Sequence, residues 1–291
     1  MARRWYVPLL ALPVAIGTVV AVLEGVASAS PGLAHTAART AAVRGLYPGA
    51  PMISASGGAA PGAGHGILNP SGSSFNWAGY AVDGGRGAFR SVSASWTEPR
   101  VNCAGVHGLR FSSFWVGLDG FFLPNQPMDK TVEQLGTDAD CNHTKPVYFA
   151  WWEMFPNASV SFRNPVRPGD HMSASVTFRG AGRFALFIKD STRHWSRTIV
   201  RVHGGLRRSS AEVIAEAPAL LVGGVGVLQP LANFGTVRWT GSSVNGTPLK
   251  NFGQRFRITM VALNPPNRIK ATTSPIGAAD AFTNTWLRAG P

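Results

Sequence analysis

The sequence predicts an all-β fold, a large antiparallel sandwich or barrel of about a dozen strands. Three observations point there. Apolar residues recur at every second position along much of the chain, the spacing of a strand with one buried face. No segment keeps a 3.6-residue apolar period for three turns, so long amphipathic helices are excluded. The 34 glycines and 21 prolines punctuate short elements joined by turns.

The strand candidates follow in chain order. Val92, Ala94 and Trp96 alternate with Ser91, Ser93 and Ser95. Short apolar runs at Phe114–Leu118 and Val147–Trp152 come next. The clearest alternation is His171 to Arg179, where Met172, Ala174, Val176 and Phe178 are separated by Ser173, Ser175 and Thr177. Phe184, Leu186 and Ile188 repeat the pattern, and Thr198–Val202, Val213–Ala215 and Thr236–Trp239 are shorter candidates. Phe256, Ile258, Met260 and Ala262 alternate again, and Phe282–Leu287 closes the series. Asn-Pro, Pro-Gly and Asn-Gly turns separate several of them.

Three segments are expected. Residues 1–29 read as a secretory signal: Arg3 and Arg4 form the basic start, Trp5 to Leu23 is uncharged, and Ala27-Ser28-Ala29 is a small-x-small cleavage pattern. An uncleaved membrane anchor is the rival reading, and Pro8 and Pro13 count against it. Residues 30–73 are rich in Ala, Gly, Pro and Ser and hold few large apolar side chains, which predicts a disordered linker or propeptide. Residues 74–291 form the folded domain, whose composition shifts abruptly at Phe75-Asn-Trp-Ala-Gly-Tyr80.

Export makes Cys103 and Cys141 most simply a disulfide. They lack Cys-x-x-Cys spacing, and the seven histidines show no ligand spacing, so no metal and no cofactor are expected. The chain carries 27 basic and 14 acidic residues, and loss of Arg3, Arg4 and Glu24 with the signal leaves a net charge of +12. Such a protein should associate with anionic surfaces. The basic residues are nevertheless scattered, as on solvated strand faces, and no aromatic-basic motif points to nucleic acid. A monomer is expected.

Conventional hydrolytic signatures are missing: there is no Gly-x-Ser-x-Gly and no His-Glu-x-x-His. What remains is Gln134, in Thr131-Val-Glu-Gln-Leu-Gly-Thr-Asp138, and Glu212, in Ser210-Ala-Glu-Val-Ile-Ala-Glu216. A carboxylate with an ordinary pKa near 4.3 can take a proton from water and return it to a leaving amine. An amide NH₂ can donate to a developing oxyanion without changing its own protonation. Together they make a minimal machine for peptide hydrolysis.

From Phe75 to Trp286 the chain resembles the glutamic peptidases, the eqolisin family. The resemblance rests on six motifs in order. Asn76-Trp-Ala-Gly79 is similar to the family's opening strand, and Phe114-Trp-Val-Gly-Leu-Asp-Gly120 to its Trp-Val-Gly-Ile-Asp-Gly. Gln134-Leu-Gly-Thr-Asp138 is similar to Gln-x-Gly-x-Asp, and Ala150-Trp-Trp-Glu-Met-Phe-Pro156 to Ala-Trp-Tyr-Glu-Trp-Tyr-Pro. Ala211-Glu-Val-Ile-Ala-Glu216 is similar to Ala-Glu-Trp-Ile-x-Glu, and Phe234-Gly-Thr-Val237 to Phe-Gly-Ser-Val. Val213 stands where the family usually has Trp.

The resemblance implies two large sheets packed face to face, in the manner of lectins, with a concave cleft. It also implies a secreted, acid-active endopeptidase acting on polypeptides, with Gln134 and Glu212 catalytic. Asp119 and Asp138 match carboxylates near the family's site; they either orient Gln134 and tune Glu212 or hold loops. Glu153 either lines the cleft or is a charge on a strand face. Trp77, Trp115, Trp151 and Trp152 form either apolar subsites or plain core. Two rival functions are a non-catalytic lectin-like binding module and a glycoside hydrolase that pairs two carboxylates such as Glu153 and Glu212.

Overall fold

The computed structural model describes residues 46–47, 71–123, 131–222, 225–264 and 268–290. The expected signal segment, 1–29, and most of the expected linker lie outside the described residues. Among the described residues, thirteen strands of five or more residues carry the main sheet. The first five are β1 (Trp77–Asp83), β2 (Ser91–Thr97), β3 (Ser113–Leu118), β4 (Val132–Asn142) and β5 (Lys145–Phe155). Next come β6 (His171–Phe178), β7 (Arg183–Asp190), β8 (Trp195–Val202) and β9 (Ser210–Glu216). The last are β10 (Thr236–Val244), β11 (Arg255–Val261), β12 (Ile269–Thr273) and β13 (Phe282–Trp286). Helix in the described residues is confined to single 3₁₀ turns at Leu249–Asn251 and Ala278–Asp280.

All the pairings among these thirteen strands are antiparallel, in the order β5-β4-β3-β9-β1-β11-β12-β13-β10-β2-β6-β7-β8. The two packed layers are therefore limbs of one folded sheet, joined through β11, β12, β13 and β10. Ala78, Tyr80, Phe114, Val116, Leu135 and Val213 of one limb share a core with Trp96, Ala174, Val176, Leu186 and Trp239 of the other. The sheet is not closed into a barrel. Where its two ends approach, the Arg201 guanidinium of β8 lies 4.5 Å from the ring centroid of Trp152 on β5, a cation–π contact across the open seam.

Burial follows the sequence pattern where one face meets solvent. In β2 and β6 the Ser positions and Thr177 are partly exposed, Thr97 is exposed, and every apolar position but Phe178 is buried. The strands β3, β4 and β9 are buried along nearly their whole length, because something packs on both of their faces. Cys103 and Cys141 form the disulfide, with Cα atoms 5.5 Å apart. Within the expected linker, Ser71–Ser74 pairs in parallel with β11, and Leu46–Tyr47 pairs with Ala219–Leu220.

Charge is sorted between interior and surface. Among the described residues every Asp and Glu is buried except Asp83, which is partly exposed, whereas Lys270 is the only buried Lys or Arg. Lys270 donates to the Phe75 carbonyl at 3.3 Å, and burial lowers its pKa to about 8. Glu98, at the end of β2, accepts from Thr137 Oγ1 and Trp96 Nε1. Burial raises its pKa to about 8 despite those bonds.

Two expectations follow. The folded chain holds the Glu98 proton up to about pH 8, whereas an unfolded one releases it near 4.5. Stability is then full below that lower value and falls as pH rises toward 8. Thermal unfolding midpoints between pH 4 and 8 should decline, and Glu98→Gln, which mimics the protonated acid, should flatten the slope. Reduction of the disulfide opens a 38-residue separation and should lower stability by about 4 kcal/mol, read from denaturant unfolding with and without reductant.

Candidate active site

The register of the sheet lines up its polar residues in rows. Side chains directly opposite on paired strands share a face. Across β11, β1, β9, β3, β4 and β5 one row reads Phe256, Ala81, Glu212, Gly117, Gln134, Glu153. The next row on the same face reads Ile258, Gly79, Ile214, Trp115, Gly136, Trp151. A third reads Trp77, Glu216, Ser113, Asp138, Phe149. This is the face turned away from the main core. Two rows rich in carboxyls and an amide flank a row of Trp, Ile and Gly.

Gln134 and Glu212 thus belong to one sheet and one face, with β3 between their strands rather than side by side. Both are buried. The Gln134 amide nitrogen donates to Glu153 Oε2 at 2.7 Å. Glu153 is fully buried, and its pKa is pushed well above the usual carboxylate range by burial and then by the charge of Glu216. The Gln134 bond opposes that rise. Glu153 is therefore neither a solvated charge nor a loop residue; it is the neighbour that orients the amide.

Tryptophans stabilise the third row. Trp151 Nε1 donates to Asp138 Oδ1 at 2.7 Å, and Trp115 Nε1 donates to Glu216 Oε2 at 2.8 Å. Asn76 Nδ2 reaches Glu216 Oε1 at 3.3 Å. Burial lifts the Asp138 pKa to about 7, against the hydrogen bonds of Ser113 and Trp151. Trp77 and Trp115 meet edge to face with centroids 5.0 Å apart, inside a small apolar cluster that also holds Trp151 and Ile214. Trp152 does not join them: it faces the other way, toward Arg201.

Asp119 takes a different place. It follows β3 with φ of 67°. Its carboxylate accepts from the backbone N–H groups of Arg207, Arg208 and Ser209 at 3.1, 2.8 and 2.8 Å. That ties the approach to β9, and so the height of Glu212, to the end of β3. Sequence reasoning passed over Glu216, Asn76 and Gly117. The even spacing of Glu212, Ile214 and Glu216 on a strand was the available signal for the first. Among the described residues no cluster of three or more His, Cys, Asp or Glu is arranged to hold a metal ion.

Residues 75–276 match the profile of the Peptidase A4 family. The fold is similar to scytalido-glutamic peptidase solved with a transition-state analog inhibitor, at 21% identity and a TM-score of 0.60, over 73% of this chain and 98% of that one. It is also similar to SCP-B, a member of the eqolisin family of peptidases solved with the tripeptide Ala-Ile-His, at 22% identity and a TM-score of 0.57, with 73% and 98% covered. Sequence comparison with curated proteins finds no match.

Asp119→Ala should lower stability by about 2–4 kcal/mol, because three backbone donors lose a charged acceptor. Hydrogen exchange should show faster exchange at residues 207–209, while amides of β6 and β7 stay protected.

Proposed function

We propose that this chain, which belongs to the Peptidase A4 family, is a secreted endopeptidase that cleaves peptide bonds with Glu212 as general base and acid and Gln134 as oxyanion donor. The observation that carries this reading is the row itself: a carboxylate and an amide on one face, in register, separated by a residue without a side chain. A water and a peptide carbonyl fit the role of what lies between them. Within the row Glu212, Gln134 and Glu153 are buried.

In this scheme Glu212 takes a proton from water as the oxygen attacks the carbonyl carbon. The carboxylic acid so formed returns the proton to the leaving nitrogen. The Gln134 NH₂ has two donors. One donates to Glu153; in this scheme the amide also donates to the carbonyl oxygen as negative charge builds on it. The burial of this face strengthens that interaction over its value in water. Asp138, Glu216, Trp77 and Trp115 support the face beneath the dyad. Polypeptide substrates fit the family membership and the tripeptide held by SCP-B. Secretion is supported by the sequence of residues 1–29.

Acid activity follows from Glu153. In its protonated form, which burial favours, it adds no negative charge beside Gln134. As pH rises and Glu153 ionises, negative charge appears beside the growing oxyanion, and turnover should fall.

Peptide hydrolysis measured from pH 2 to 8 tests the scheme. Glu212→Gln should reduce kcat to near background, because no general base remains. Gln134→Ala should cost about 10²–10³-fold in kcat, the worth of one oxyanion donor. Glu153→Gln should keep activity in acid and lose less of it toward neutral pH. Pepstatin and chelators should leave the rate unchanged. Full activity in Glu212→Gln would overturn the assignment.

A further inference from the structure

We infer that Gly117 is a positioning residue of this site: its missing side chain is what holds open the gap between Glu212 and Gln134. The inference rests on the proposed Glu212/Gln134 dyad. It starts from an oddity. A glycine inside a strand is unfavourable, because it loses more backbone freedom than other residues and packs nothing. Gly117 nevertheless lies within β3, which is buried throughout. Its backbone does not demand glycine either, since it is not among the residues of positive φ.

Its row-mates in the neighbouring row have another reason for being glycine. A Cβ added at Gly79 or Gly136 would run into a backbone carbonyl oxygen, that of Val213 or Phe114. Strand packing alone forbids a side chain there. At Gly117 the nearest atoms are all side chains: Trp115 Cζ3 at 2.9 Å, Gln134 Cβ at 3.2 Å and Trp115 Cε3 at 3.3 Å. An added carbon would press on the Gln134 Cβ, the base of the side chain that carries the amide, and on the Trp115 ring.

Neither neighbour is free to give way. Trp115 is fully buried, bonded to Glu216 and packed edge to face on Trp77. Gln134 is held by Glu153. A methyl group at 117 would also stand between the two strands that carry the dyad, in the volume where the water and carbonyl are proposed to meet.

The test is Gly117→Ala, with and without Trp115→Phe, which removes the ring atoms closest to the added carbon. Thermal unfolding, kcat and KM are measured for each, beside Glu212→Gln and Gln134→Ala. Gly117→Ala should fold and lose about 10²-fold in kcat, the scale of a misplaced catalytic group, with KM little changed and the bulk of the pH profile kept. The double variant, measured against Trp115→Phe alone, should still lose kcat, because the added carbon still crowds Gln134. Wild-type kcat in either folded variant overturns the inference. If Glu212→Gln and Gln134→Ala are inactive in that same series, the dyad stands and only the role of Gly117 falls. If those two variants are active, the dyad itself falls. Should Gly117→Ala not fold, the double variant decides against Trp115→Phe alone: a folded double variant with the kcat of Trp115→Phe refutes the inference, and one about 10²-fold below it supports it.

Discussion

The constraint on which everything else depends is the register through β3. That strand pairs with β9 on one side and β4 on the other, so it alone decides whether Glu212 and Gln134 stand opposite each other. Because side chains alternate, a slip of one residue on either side would send one of the pair to the opposite face and bury it in the main core. The cost of such a slip is high on both faces. It would also bring Phe114, Val116 and Leu118 out of the core and break the Trp115–Glu216 and Trp151–Asp138 bonds. Two unrelated sets of contacts, one apolar and one polar, thus enforce the same alignment. Asp119 adds a third by tying the chain just before β9 to the end of β3.

Much of this was legible in the sequence, and the gaps have physical reasons. Strands with one wet face announced themselves: β2, β6 and β7 alternate cleanly, and the structure begins and ends β6 within a residue of the expected His171 to Arg179. β1, β4 and β12 escaped the alternation reading. β4 is buried on both sides yet carries Glu133, Gln134, Asp138 and Asp140, so it shows neither the period of a half-exposed strand nor the apolar run of an ordinary buried one. Its polar residues are matched by partners far away in the chain, which no local pattern can display. Glu133, for example, meets His203 Nδ1 at 2.9 Å.

The site was legible by a different route. Motif resemblance located Gln134 and Glu212, but not the strand between them, nor the neighbours that orient them. Glu153 read equally well as a cleft residue or a surface charge, and only its pairing with Gln134 distinguishes the two. Asp119 and Asp138 looked alike as acidic neighbours of the motifs. In the fold Asp119 secures a loop, whereas Asp138 lies in the polar row behind the dyad and takes the Trp151 indole. Trp151 and Trp152 are adjacent in sequence and face opposite ways, one to the site and one to the seam. Spacing of one residue on a strand is enough to separate those fates.

The sorting of charge, acids within and bases without, has a consequence for how this protein persists. Unfolding would bring the hidden carboxylates out among the arginines, turning a uniformly cationic particle into a chain of mixed charge. A polyanion that bound this cationic surface in preference to the unfolded chain would hold the native form against denaturation by mass action. Concentrated salt, by screening the contact, would remove that protection.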